Sequence, residues 1–341
     1  MLKLPPMSAK IAIIGDGAMG ALTSKLLAGK GNRLCLWSAF PEHVEHMRTH
    51  RVSRYLPDVR LEESLEVTSE GSEALRDADL VVSAVPCQFI RRVWSGLAGE
   101  FTRGTPICSV TKGIENETLL RPTQVLADVL FGSSGPREDL AVLSGPSIAH
   151  EVALEKPATV VSAAINPELA LRVQQLFVTP YFRVYTNSDL AGVELAGATK
   201  NVIAIAAGIL DGMQAGDNAK AALLSRGLVE ITRLGVQLGG HRDTFFGLAG
   251  MGDLVTTCVS PFGRNRSFGE AIGKGRSVKE ALGITNGVVE GVATTASVLD
   301  LACRQRVEMP ITQAVHAVVF EGQSPQQAIS ALMSRPARPE Y

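Results

Sequence analysis

Gly15-Asp-Gly17-Ala-Met-Gly20 follows the apolar run Ile11-Ala-Ile-Ile14 directly and opens a segment of helical periodicity over 18–27. Alone such a pattern is weak evidence; its place between a strand and a helix gives it force. In a strand–turn–helix setting the first glycine permits the tight turn and the second lets the backbone approach a pyrophosphate. The third allows the helix to pack closely on the strand. The helix that follows presents unpaired N–H groups and the positive end of its dipole. Gly15, Gly17, Ala18, Met19 and Gly20 are therefore expected to cradle a dinucleotide, NAD or NADP.

The alternation continues. Segments 33–37, 80–85 (ended by Pro86) and 106–110 read as buried strands, separated by helical segments at 41–49 and 88–97, with later strands at 140–143, 158–163 and 182–185. Near-continuous apolar strands between helices predict a parallel sheet covered on both faces. From about residue 188 helical periodicity takes over, with helices expected at 189–211, 217–239, 242–247, 266–274, 278–283, 290–305 and 311–320. At 341 residues two domains are the natural expectation. The reading is an α/β chain: a Rossmann-type doubly wound sheet over 8–188, then an all-α domain over 189–335.

A formal net charge of −1 gives no electrostatic footprint for nucleic acid or an anionic membrane, so an anionic substrate must be captured by local groups. The five cysteines (35, 87, 108, 258 and 303) are odd in number and form no CxxC pair. They fit reduced thiols in a cytoplasmic protein better than a disulfide framework or zinc site. Residues 1–8 lack the apolar core of a signal peptide, and Met7 is a candidate alternative start. The apolar run 202–210 is far short of the roughly 20 residues a membrane span needs. A soluble protein with no membrane span is expected.

The acidic residue that reads the NAD ribose about 20 positions beyond the glycines is missing. The second strand ends Trp37-Ser-Ala39-Phe40, with no arginine there for a 2′-phosphate, so the choice between NAD and NADP stays open. The ligand crevice of such a sheet lies at the carboxyl ends of its strands, where Val85-Pro86, Thr111-Lys112-Gly113 and Ser144-Gly145-Pro-Ser147 fall. Lys112 is either a site cation or an exposed loop lysine; the 144–147 segment is either a donor-rich turn or a plain β-turn.

One cation is out of place. Lys200 lies in Glu194-Leu-Ala-Gly-Ala-Thr-Lys-Asn201, and its helical neighbours Ala196, Gly197, Ile203 and Ala204 cannot pair with it. Either it points into a polar cavity or the helix lies at the surface with the lysine snorkelling or paired at long range. Further on, Gly247-Leu-Ala-Gly-Met-Gly-Asp253 and Pro261-Phe-Gly263-Arg264-Asn265-Arg266 form a glycine-rich loop pair ahead of a helix. Arginine and asparagine before a helix N-terminus suit a phosphate. Asp253 either accepts from substrate and balances a lysine or simply caps the next helix.

With Tyr55-Leu-Pro57, Ser83-Ala-Val-Pro86, residues 217–228 and Val289-Glu-Gly291, these segments run in order along almost the whole chain, which resembles the bacterial-type NAD(P)-dependent glycerol-3-phosphate dehydrogenase family. The resemblance implies reversible hydride transfer between NAD(P)H and dihydroxyacetone phosphate in a cytoplasmic homodimer serving glycerophospholipid synthesis. It implies Lys200 as proton donor and acceptor. Lys112, Gly145, Ser147, Asp253, Gly263, Arg264 and Asn265 would contact substrate. Lys112, Ala149, Arg264, Val288 and Glu290 would join the glycine turn at the cofactor. Lys200 is then expected on the floor of a cleft, with Lys112 and Asp253 for neighbours. Two departures stand out: Gly263 where the family usually has serine, and no basic residue at the end of the second strand. A reductase of a keto acid with the same layout, or a nucleotide-binding regulator without chemistry, remain open alternatives.

Overall fold

The computed structural model describes residues 9–285, 287–337 and 339–340; Met7 and residue 8, where the nucleotide domain is expected to begin, lie outside the described residues. Ten strands are present among the described residues: β1 (Lys10–Ile14), β2 (Arg33–Trp37), β3 (Val52–Ser53), β4 (Leu56–Arg60), β5 (Glu66–Thr68), β6 (Leu80–Ser83), β7 (Ile107–Ser109), β8 (Leu140–Ser144), β9 (Ala158–Ala164) and β10 (Phe182–Asn187). Eight of them form one sheet in the order β10-β9-β8-β7-β6-β1-β2-β5, and β3 and β4 make a separate hairpin. The sheet departs from the all-parallel expectation at one pairing, because β9 runs antiparallel to β8. Between them the chain carries only the short helix Ala149–Ala153, which packs back on Ala18–Leu27. The helix Pro167–Phe177 then makes a crossover, and β10 returns parallel to β9.

The order reverses between β1 and β6, so the carboxyl ends of these two strands open a crevice. Their residues Ile11–Ile14 and Leu80–Ser83 are fully enclosed, as expected of strands apolar on both faces.

The helical half is built around Leu190–Gly212, in which every residue from 192 to 205 is buried. This helix is longer than the apolar run alone suggests, and by length and composition it could cross a membrane. It is instead a core helix: 89% of its most apolar window is covered by the rest of the chain. Asp189 caps its start, accepting from the Gly192 N–H at 2.8 Å while also receiving the Thr244 hydroxyl at 2.7 Å. Helices Asp217–Gln237, Asp253–Val259, Arg264–Gly273, Glu290–Gln305 and Pro310–Phe320 pack against it. The two halves interlock, for Ile114 and Leu119, from the loop after β7, sit in the helical core.

Most expected elements are present within a few residues of their expected ends. The hairpin β3–β4 and the helices Pro122–Phe131, Pro167–Phe177, Asp253–Val259 and Pro325–Met333 were not foreseen. One shifted boundary bears on the site. The helix expected at 266–274 begins at Arg264, so Arg264 and Asn265 form its first turn instead of preceding it.

Candidate active site

The glycine turn sits at the crevice. Gly15 has φ +115°, and a Cβ there would stand 2.8 Å from the Ala84 carbonyl oxygen at the end of β6. A Cβ at Gly20 would run into the Gly15 carbonyl. Internal packing therefore explains both. Gly17 is different: a Cβ there would meet nothing within 4 Å, so its lack of a side chain leaves open space at the N-terminus of Ala18–Leu27. No side chain caps that helix, and its first turn carries no acid. Free N–H donors facing open space are what a pyrophosphate requires, so this turn fits the expected dinucleotide. The Asp16 carboxylate, within the turn, is drawn aside to His43 Nδ1 at 2.6 Å, and the His43 ring lies against Phe40 and Tyr55.

Beyond this turn the lysines converge. Because the helix Leu190–Gly212 has no solvent face, Lys200 lies inside, with its side chain 5% exposed. Its Nζ stands 3.0 Å from Asp253 Oδ1 and donates to Thr257 Oγ1 at 2.5 Å. Asp253 Oδ2 receives Lys112 Nζ at 2.5 Å, and Lys112 also reaches the Gly145 carbonyl at 3.2 Å. One buried carboxylate thus holds two ammonium groups, one from each half of the chain. Asp253 makes no capping bond to its own helix. Burial pushes Lys200 down to about 8; Asp253 opposes that shift and Lys112 adds to it. The small residues beside Lys200 provide room: a Cβ at Gly197 would come within 2.9 Å of Ser144 Oγ and close to the Lys112 side chain.

Gly145 has φ +142° and presses on Val160, which leaves its carbonyl to accept both Lys112 and the Ser147 hydroxyl, the latter at 3.1 Å. Arg264 is exposed at the start of its helix. Asn265 Oδ1 accepts the Gly291 N–H at 2.9 Å, which fixes the amide so that its N–H₂ end is free to donate. Gly263 precedes them beside the Thr257 carbonyl, at 3.1 Å for a Cβ placed there. Val288 is exposed next to Gly287, whose Cβ position lies 3.1 Å from Arg264 Nη1. Burial pushes the Glu290 carboxyl up, while Arg264, Lys112, the Cys87 N–H and Lys200 pull it down. Lys112, Gly145, Ser147, Lys200 and Asp253 are therefore linked by direct contacts, and Arg264, Asn265, Val288 and Glu290 meet around Gly287 and Gly291, with Glu290 sensing Arg264, Lys112 and Lys200. Ala18 and Met19 open the helix that follows the glycine turn, and Ala149 opens the short helix packed against it.

Glycine spacing brings the lysine helix and the arginine helix together. Gly208 and Gly212 on the lysine helix face Gly269 and Gly273 on the arginine helix, and a Cβ at any of the four would strike the other helix's backbone. The helices cross in direct backbone contact, tied by Arg266 Nε to Asp211 Oδ2 at 2.7 Å. Sequence reasoning missed Thr257. It lies one turn beyond Asp253, so a helix assigned at 253–259 would have placed both on one face.

The chain as a whole is similar to known proteins. A family model described as NAD-dependent glycerol-3-phosphate dehydrogenase N-terminus matches residues 10–170, and its C-terminus counterpart matches 189–330. The chain belongs to the NAD-dependent glycerol-3-phosphate dehydrogenase family. A glycerol-3-phosphate dehydrogenase [NAD(P)+] of Salinibacter ruber is 47% identical over 98% of this chain and 97% of its own. One from Chlorobium limicola is 48% identical over 97% and 99%. The crystal structure of the Coxiella burnetii glycerol-3-phosphate dehydrogenase superposes with a TM-score of 0.91 at 38% identity, covering 97% of this chain and all of that one. A separate apolar trough of about 450 Å³, lined by Ile209, Leu223, Val315 and Leu332 among others, includes none of the cleft residues.

Proposed function

We propose that this protein is an sn-glycerol-3-phosphate dehydrogenase that uses NAD or NADP and reversibly reduces dihydroxyacetone phosphate, with Lys200 as proton donor and acceptor. The pairing of buried Lys200 with Asp253 and Thr257, beside Lys112 and within the cleft of Arg264, carries the reading. Gly15, Gly17, Ala18, Met19 and Gly20 would hold the cofactor with Ala149, Val288 and Glu290. When bound, the reduced nicotinamide supplies the hydride. The chain supplies the rest. Arg264 and Asn265 grip the phosphate, so binding energy spent far from the carbonyl orients it. The Lys200 ammonium, aimed by Asp253 Oδ1 and Thr257 Oγ1, stabilises negative charge growing on the ketone oxygen and delivers a proton there. In the other direction neutral Lys200 takes the hydroxyl proton. Lys112, Gly145 and Ser147 line the substrate.

We read residues 8–188 as the nucleotide domain and 189–335 as the substrate domain of a cytoplasmic homodimer that feeds glycerophospholipid synthesis. The separate family matches over 10–170 and 189–330 support that division.

The deciding assay follows oxidation of NADH and of NADPH separately with dihydroxyacetone phosphate. Turnover of a keto acid, with none of the phosphorylated ketone, would overturn the proposal. The lowered Lys200 value gives a sign to the pH dependence. Reduction needs the ammonium, so kcat should be flat below pH of about 8 and fall above it; oxidation needs the neutral amine and should rise through the same midpoint. Parallel profiles in both directions would contradict the assignment.

A further inference from the structure

Lys112 is delivered to Asp253 by a loop that has no secondary structure of its own, and one carbonyl in that loop is held from both halves of the chain. The Ile114 oxygen accepts Gln88 Nε2 at 2.8 Å and Ser297 Oγ at 3.0 Å. Gln88 belongs to the segment after β6, whereas Ser297 is fully buried in the helix Glu290–Gln305. The same two residues meet again at Asn116, whose N–H donates to Gln88 Oε1 at 3.0 Å and whose Oδ1 lies 2.5 Å from Ser297 Oγ, with the Ala293 carbonyl a further acceptor at 3.2 Å. A hydroxyl has one proton to give. Turning the Asn116 amide so that its N–H₂ faces Ser297 satisfies the group as a chain, Asn116 to Ser297 to the Ile114 carbonyl. The Gln88 amide then binds the loop through both its ends. Beside this knot Gly113, at φ +139°, packs on Cys87, and Thr111 Oγ1 donates to the Val85 carbonyl at 2.7 Å.

We infer that Gln88 and Ser297 are positioning residues for substrate capture: together they fix the 111–116 loop between the two halves of the chain and so set Lys112 against Asp253. Neither lies within the proposed substrate contacts, and both would act only through Lys112. The inference rests on the proposed role of Lys112 at the substrate.

The test compares Gln88→Ala, Gln88→Glu, Ser297→Ala and Ser297→Thr, each in the full-length enzyme and again with Lys112→Ala. Gln88→Glu keeps the shape and the bond to Asn116 but turns an oxygen toward the Ile114 carbonyl, so it remains informative if the alanine variant folds poorly. Loss of one such bond is expected to raise the KM for dihydroxyacetone phosphate about 3- to 10-fold, with kcat less affected. Ser297→Thr, which keeps the hydroxyl, should restore it. On the Lys112→Ala background the same substitutions should add nothing. Unchanged KM in the single variants, or an equal rise on the Lys112→Ala background, would overturn the clamp. Lys112→Ala that itself leaves KM unchanged would overturn the role of Lys112, and the clamp with it.

Discussion

Lys200→Ala is expected to lower turnover of dihydroxyacetone phosphate about 10³- to 10⁴-fold, the loss typical when a proton-transfer group and an electrostatic stabiliser vanish together. That factor corresponds to about 4–5.5 kcal/mol of barrier. Dinucleotide affinity should change little, because the glycine turn and the free N-terminus of Ala18–Leu27 are built without Lys200. Neither should the fold suffer. Removing the lysine leaves Asp253 paired with Lys112, so no buried charge is orphaned. The sign of the shift sets the effect on stability. The lysine is held at about 8, below its ordinary value of roughly 10.4, so folding at pH 7 is working against its charge. That penalty is complete below about pH 8 and fades as pH rises toward the unfolded value. Lys200→Met, which fills the same space, should therefore melt no lower than the parent at pH 7. Turnover above a tenth of the parent in either variant would sink the proton-donor role.

The legible part of this site was the part written in local pattern. The turn at 15–20 announces itself because strand, glycines and helix are consecutive, and Lys200 stands out because no helical neighbour can pair with it. Its true partner, Asp253, was only a candidate beside a capping role, since a contact between residues on distant helices leaves no mark in either segment. Thr257 escaped for a simpler reason: without a helix assigned over 253–259, nothing linked it to Asp253. The backbone crossing of Gly208 and Gly212 with Gly269 and Gly273 was present as spacing that neither segment alone explains. Such glycines become informative only once the facing helix is known. The antiparallel β9 was missed because strand direction depends on where the intervening helix packs, and periodicity does not report that.

Asp253→Ala should do what Lys200→Ala does not, namely destabilise the protein. It strips the shared counter-charge from Lys200, with its side chain 5% exposed, and from Lys112 at 19%. Breaking a buried ion pair by removing one partner costs about 3–5 kcal/mol, a large share of the roughly 5–15 kcal/mol that holds a typical domain. Part of the strain is relieved by proton loss. Without Asp253, whose charge opposes the downward shift, the Lys200 value falls further, a larger share of the amine is neutral at pH 7, and reduction weakens for want of a donor even in molecules that remain folded. The stability loss and the activity loss have separable origins, and a second substitution distinguishes them. Asp253→Ala combined with Lys200→Met removes the orphaned ammonium and should recover more than half of the lost stability while remaining inactive. Urea unfolding at pH 7 of the parent, both single variants and the double variant measures the cycle. A single-variant loss below about 1 kcal/mol, the range of an exposed pair, would mean that the clasp is solvated and Asp253 is not holding the lysines. A double variant no more stable than Asp253→Ala would place the cost in the lost side chain's packing instead of in unpaired charge.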